Sequence, residues 1–431
     1  MRIGGRLSGA IEVLTDVDER RRPIASALKD WGTSHRFAGS GDRAAIGNIV
    51  YDALRLKLSH AFLMDDDSPA ALAHAVLFRQ WGLSPEALAE QLDGDKFAPQ
   101  PLPEAALEAF AARDLAEAPD EVRGDLPAWL LPSFKANFGD NWLAEAEALN
   151  LRPSLDLRVN TLKAKREKVM KALSRSGPKE GEIAPDCLRI APGNGSDRLP
   201  NVTAELSFQK GWFEVQDQGS QIVATLVGAK AGDQVLDFCA GGGGKTLALS
   251  AAMGNAGQVH AYDADRNRLA PIIERLKRAG TRNVQVHDAI ADLDGLAGRF
   301  DHVLVDAPCT GTGTWRRRPD IKWRLSEKNL DERMAQQAEV LAEASRFVKP
   351  GGRLTYVTCS LLPEENQHQI AAFLASEHGS VFEAIDMEPV WTATFPGVDA
   401  RPHFSGEGYA TLTPAATGTD GFFCATVSRK F

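Results

Sequence analysis

At 431 residues the chain is long enough for about three domains and a sizeable core. Its 43% hydrophobic and 25% charged residues are ordinary for a folded protein, which excludes disordered and membrane-spanning classes. The net charge of -9 speaks against a nucleic-acid partner, yet residues 1–150 hold 15 basic against 24 acidic side chains, leaving 34 of each for the remainder. The acidic surplus therefore belongs to the first third. The amino terminus lacks a signal-peptide apolar core, so a cytoplasmic address is expected, with no membrane contact. Five cysteines, Cys187, Cys239, Cys309, Cys359 and Cys424, lie far apart with no C-x-x-C, which argues against a metal site and a disulfide framework.

Residues 1–147 read as all-helical. Ile46, Ile49, Val50, Leu54 and Leu58 recur at three- and four-residue steps, one stripe of a helix. Alanine- and leucine-rich stretches follow at 69–92 and 103–113, with proline-bearing joints near FAPQPLPEA and GDLPAWLLP. Residues 148–228 read as a small α+β segment: SLDLRVNTL alternates as a strand does, and GWFEVQDQGSQIVATLVGA suits a strand leading into a helix. From 229 to 431 short apolar runs alternate with amphipathic ones. Strands are predicted at 234–238, 258–262, 283–287, 301–305 and 353–358, with helices at 245–253, 266–279, 327–347 and 364–377. That order predicts an α/β domain with a mostly parallel sheet covered by helices, and GFFCATVSRKF reads as a closing strand.

VLDFCAGGGGKTLALSAAM reads as a strand, a glycine turn and a helix start, where backbone N–H groups can meet a ligand. A phosphate-binding P-loop needs glycine where Cys239 stands, and a dinucleotide turn needs spaced glycines rather than the contiguous Gly241–Gly244. Asp263, Asp288 and Asp306 each end a predicted strand. In an open α/β sheet those ends converge on one crevice, which suits an adenosyl ligand without a pyrophosphate, S-adenosylmethionine.

Cys309 and Cys359 follow neighbouring strands beside that crevice. Carbon 5 of a pyrimidine takes a methyl group only after a thiolate adds at carbon 6. An acid near ring nitrogen 3 then stabilises the developing charge, and Asp306 is the candidate. A second thiol suits the release step. An amino-group methyltransferase wants Asp-Pro-Pro-Tyr, and Ala307-Pro308-Cys309 supplies neither the second proline nor the aromatic.

DAPCTGTG and YVTCSLLPEEN, with LDFCAGGGGKT, LRVNTL and FEVQDQGSQ upstream, resemble the RsmB/NSUN group of RNA cytosine-5 methyltransferases over residues 150–431. The resemblance implies a class I Rossmann-like domain, with Cys359 as nucleophile and Cys309 assisting product release. It implies Lys245 and Asp306 in the catalytic group, and Cys239, Ala240, Gly241, Gly242, Gly243, Gly244, Lys245, Asp263, Asp288 and Asp306 around the methyl donor. Where the family turn usually carries Pro-Gly-Gly-Lys, Gly242 replaces the proline. The stretch ALKDWGTSHRFAGSGDRAAIGNIVYDALR resembles the helical NusB-like domain fused to ribosomal RNA members, which implies a role in binding RNA or protein.

Arg316, Arg317, Arg318, Lys322 and Arg324 are then expected to meet RNA phosphates, with Gly311 and Gly313 admitting backbone close to a flipped-out base and Trp315 or Trp323 stacking or packing in a core. The expected substrate is small-subunit ribosomal RNA, with transfer RNA as the alternative. An inactive assembly factor would be expected to lack Cys359, Asp306 or Lys245, and all three are present.

Overall fold

The computed structural model describes Met1–Phe431. It divides into two compact units that do not follow the chain continuously: Met1–Pro153 with Pro192–Leu199 and Thr314–Leu325, and Ser154–Ala191 with Pro200–Gly313 and Ser326–Phe431.

The first unit is helical. The helix Ile3–Arg20 buries Leu7, Ala10, Val13, Leu14 and Val17, and Ser40–Arg55 buries Ile46, Ile49, Val50, Ala53 and Leu54, stripes at the spacing that puts one face inward. Ser68 and Ser84 start the helices Pro69–Arg79 and Pro85–Leu92, each side chain accepting the backbone N–H three residues on while proline fills the first turn. No helix is long and apolar enough to cross a membrane.

In the second unit, strands β1 (Leu155–Val159), β2 (Lys179–Glu180), β3 (Cys187–Ile190) and β4 (Phe213–Val215) form an antiparallel sheet in the order β2-β3-β1-β4. The larger sheet has nine strands. Its parallel half comprises β5 (Gln234–Asp237), β6 (Gln258–Tyr262), β7 (Val284–His287), β8 (Phe300–Asp306) and β9 (Val348–Thr358). Val235, Leu236, Val303, Leu304 and Val305 are fully enclosed, as befits strands covered on both faces. The antiparallel half adds β10 (Phe382–Ile385), β11 (His403–Phe404), β12 (Ala410–Leu412) and β13 (Phe422–Arg429), so the closing strand pairs with β9.

The order β7-β6-β5-β8-β9 reverses direction at β5, and the crevice beyond its carboxyl end is where a ligand belongs. The helix expected over 266–279 is two, Arg266–Leu269 and Ile272–Ala279, because Pro271 has no N–H to continue the ladder. The expected helix 364–377 begins instead with a single 3-10 turn, Pro363–Glu365, before Gln367–Ala375.

Candidate active site

Beyond β5 the chain turns through Gly241–Gly243 into the helix Gly244–Ala252. Gly243 has φ +78°, and a Cβ there would lie 2.4 Å from Ile272, so both conformation and space require glycine. Asp263, just past β6, accepts the Gly241 N–H at 2.8 Å and the Asp265 N–H at 2.8 Å, tying the turn to the next strand end. Asp288, past β7, is exposed and pairs with Arg266 at 3.6 Å. Cys239 is half-buried, and burial raises its thiol well above the usual range. The Ala240 N–H donates to the Tyr262 carbonyl at 2.9 Å.

Lys245 projects from the first turn of that helix and donates to Asp306 at the end of β8, Nζ to Oδ2 2.7 Å. Burial alone would lower the Lys245 pKa, but the Asp306 charge and hydrogen bond outweigh it and hold the ammonium charged; Cys359 and Asp237 act in the same sense.

Cys309 and Cys359, after β8 and β9, approach to 3.4 Å between sulfurs. The hydrogen bond with Cys359, then burial, then the nearby charges of Cys359 and Glu365 drive the Cys309 pKa well up, so Cys309 is a neutral thiol. The two loops are joined beneath the thiols. Glu365, fully enclosed, accepts the Thr310 N–H at 2.8 Å, the Thr310 hydroxyl, and the Gln337 amide at 2.9 Å, while that same amide donates to the Pro308 carbonyl at 2.9 Å. Gly313 N–H donates to the Cys359 carbonyl, and Leu361 N–H to the Thr312 hydroxyl.

Sequence reasoning missed Asp237, Glu365 and Gln337. Asp237 ends β5 and is 0% exposed; one oxygen accepts the Thr246 hydroxyl at 2.6 Å and the other, Oδ1, has no partner. It passes for a strand residue in VLDF. Glu365 stands in YVTCSLLPEEN as one of two adjacent acids, and only its burial reveals a tie. Cys187 and Cys424 are core residues, with burial pushing Cys424 to about 12.

The basic cluster needs correction. Lys322 is 1% exposed inside the helical unit, where Nζ donates to the carbonyls of Arg55 at 3.2 Å and Asp125 at 2.8 Å and to Asn150 Oδ1 at 2.8 Å. Arg316 is also buried, its carbonyl accepting from Arg55 Nε at 2.8 Å, and Arg317 is half-buried. Neither Lys322 nor Arg316 is placed to meet a phosphate. Arg318 and Arg324 are exposed, with Arg324 paired to Asp320 at 2.6 Å. Trp315 is fully enclosed and stacked on Phe134, and Trp323 donates to the Leu54 carbonyl at 2.6 Å, so both belong to the helical unit's interior. Gly313 admits the Gly421 backbone rather than a base, since a Cβ there would lie 2.3 Å from the Gly421 carbonyl oxygen.

A glycine turn at the switch point of a parallel sheet closed by an antiparallel strand places the second unit in the Rossmann-like methyltransferase class. A crystal structure of a methyltransferase homologue from Pyrococcus horikoshii, 27% identical, matches this chain with a TM-score of 0.59 over 72% of this chain and 97% of its own. Residues 224–428 match the model of the family described as 16S rRNA methyltransferase RsmB/F, and residues 126–194 match the RsmF/B-like ferredoxin-like domain. Ribosomal RNA small subunit methyltransferase B of Cronobacter sakazakii is 35% identical over 70% of this chain and 66% of its own length; that of Citrobacter koseri is 35% identical over 73% and 68%. The chain, which spans about two thirds of the length of these relatives, belongs to the RsmB/F methyltransferase family.

Proposed function

We propose that this chain is an S-adenosylmethionine-dependent RNA methyltransferase that forms 5-methylcytosine in 16S ribosomal RNA through a bond between Cys359 and carbon 6 of the base. The observation that carries the reading is the pair of thiols 3.4 Å apart beside the Lys245–Asp306 ion pair. The names of the relatives support ribosomal RNA over transfer RNA as the substrate.

The crevice residues fit the methyl donor. The unpartnered Oδ1 of buried Asp237 and the carboxylates of Asp263, Asp288 and Asp306 suit its hydroxyl, amino and cationic groups, and the turn Cys239–Lys245 leaves space where side chains would intrude. When bound, S-adenosylmethionine supplies an electrophilic methyl group.

The chain's own residues prepare the base. The Cys359 sulfur, as thiolate, bonds to carbon 6, and the ring's electron pair moves toward nitrogen 3, where Asp306 passes on a proton taken from the Lys245 ammonium across their hydrogen bond. Lys245 holds Asp306 in place. Carbon 5, now enamine-like, takes the methyl group. Solvent water takes the carbon 5 proton, the freed electron pair rebuilds the ring double bond and expels the Cys359 sulfur as thiolate, and nitrogen 3 returns its proton to the Asp306–Lys245 pair. The neutral Cys309 thiol, within hydrogen-bond reach, donates to that departing thiolate. This division of labour is the one the family resemblance implies for the Thr-Cys and Pro-Cys motifs, and the raised pKa of the Cys309 thiol suits it to the donor's part.

Nucleoside analysis tests the product. Protein incubated with methyl-labelled S-adenosylmethionine and either 16S ribosomal or transfer RNA is expected to place label in 5-methylcytidine of the ribosomal RNA. Label in transfer RNA alone, or in another nucleoside, contradicts the proposal.

A further inference from the structure

We infer that Arg275 is a positioning residue for the glycine turn, supplying through its guanidinium the rigidity that four consecutive glycines lack. The inference rests on assigning that turn to S-adenosylmethionine.

The four glycines are not equivalent. Gly241 and Gly243 have φ of +50° and +78°, and Gly243 also faces Ile272, so the fold demands glycine at 243 and favours it at 241. Gly242 has no positive φ, and the only atom that a Cβ there would meet within 4 Å is Arg275 Nη1, at 3.2 Å. Nothing in the backbone conformation requires glycine at 242, and its presence leaves the middle of the turn free to take many conformations in the absence of an outside hold.

Arg275 is that hold. Its Nη1 donates to the Gly242 carbonyl at 2.5 Å, while Nε and Nη2 donate to Glu214 Oε2 at 3.3 and 3.0 Å. Glu214, on β4, is 3% exposed, and its other oxygen accepts Arg278 Nη2 at 2.5 Å, so the anchor is itself fixed. Ile272 and Arg275 stand three residues apart on the helix Ile272–Ala279 and so share a face: one presses on Gly243, the other grips Gly242. Only a planar fork spans both partners; a lysine ammonium would reach the carbonyl or the carboxylate with a single point charge. The small antiparallel sheet thereby sets the shape of the turn.

The test is calorimetric titration of S-adenosylhomocysteine into the full-length wild type, Arg275→Ala, Gly242→Pro and the double variant, with melting temperatures recorded alongside. Arg275→Ala is expected to bind about tenfold more weakly, the scale of one charge-assisted hydrogen bond. Gly242→Pro, which fixes φ at 242 by itself, is expected to recover most of the affinity lost in the Arg275→Ala background. Arg275→Lys, which keeps one contact, is expected to fall between, and decides the matter should Arg275→Ala not fold. Equal affinity of Arg275→Ala (or Arg275→Lys) and wild type overturns the inference. So does a double variant no tighter than Arg275→Ala, since a merely structural arginine would lower the melting temperature without rescue by proline. A wild type that binds no S-adenosylhomocysteine overturns the cofactor assignment instead, and the inference with it.

Discussion

Asp237 is enclosed with one carboxylate oxygen unpartnered, and burial raises its pKa from 3.8 to about 7. Between those values the folded chain holds a proton that the unfolded chain has released. Asp237 therefore contributes stability that is complete below about pH 4 and lost as pH rises through 7. Asp237→Asn keeps an acceptor for Thr246 and removes the titration. Urea denaturation from pH 4 to 8 is expected to show the wild type losing up to roughly 4 kcal/mol relative to the variant. A constant difference across that range would contradict the buried ionisable carboxyl. Among single residues, Cys309, Cys359 and Asp306 stand out in the sequence because their types imply chemistry and their positions follow apolar runs, whereas Lys245, after the glycine turn, is marked only by the family resemblance. Asp237 was not, because burial rather than spacing gives it its character.

The elements that hold the site are the strand-end loops and the glycine turn. Glu365 and Gln337 tie the Cys309 loop to the Cys359 loop, so Glu365→Ala frees Thr310 and lets the sulfurs drift from 3.4 Å. Its kcat is expected to fall about 10- to 100-fold with S-adenosylhomocysteine affinity unchanged, while Glu365→Gln, which can still bridge Thr310 and Gln337, retains most activity. Equal rates for Glu365→Ala and wild type would show that the tie does not position the thiols. At the turn, Gly243→Ala combines a positive φ with a Cβ 2.4 Å from Ile272. Denaturant unfolding is expected to show a loss of about 2 to 4 kcal/mol. The strands and helices of this half were readable because apolar runs and amphipathic stretches alternate in the sequence. The Glu365 and Arg275 ties were not, since each joins residues dozens of positions apart and leaves no periodic trace.

At the scale of the whole molecule, the chain leaves the second unit after Gly313, contributes Thr314–Leu325 to the first, and returns at Ser326. That excursion explains why a run of tryptophans and cations stands between the Cys309 and Cys359 loops. Trp315 and Lys322 are interior residues of the helical unit, and burial lowers the Lys322 pKa to about 8. Local pattern marks such a run as charged surface; its destination depends on tertiary packing alone. Lys322→Met leaves the carbonyls of Arg55 and Asp125 without their donor and is expected to destabilise the protein by about 2 to 4 kcal/mol. Its salt dependence of RNA binding is expected to match the wild type. Arg318→Ala, at an exposed position, is expected to lower the slope of log affinity against log salt by about 0.7 to 0.9. A reduced slope for Lys322→Met would contradict the interior assignment.

A denaturing gel reads directly the proposed covalent bond between Cys359 and the base. Wild type, Cys309→Ala and Cys359→Ala are each incubated with 16S ribosomal RNA and S-adenosylmethionine, then denatured. With Cys359 as nucleophile and Cys309 aiding release, Cys309→Ala is expected to give a slow-migrating, nuclease-sensitive band that Cys359→Ala lacks. A band in Cys359→Ala alone would reverse the two roles, and methyl transfer by Cys359→Ala at the wild-type rate would contradict the covalent mechanism itself.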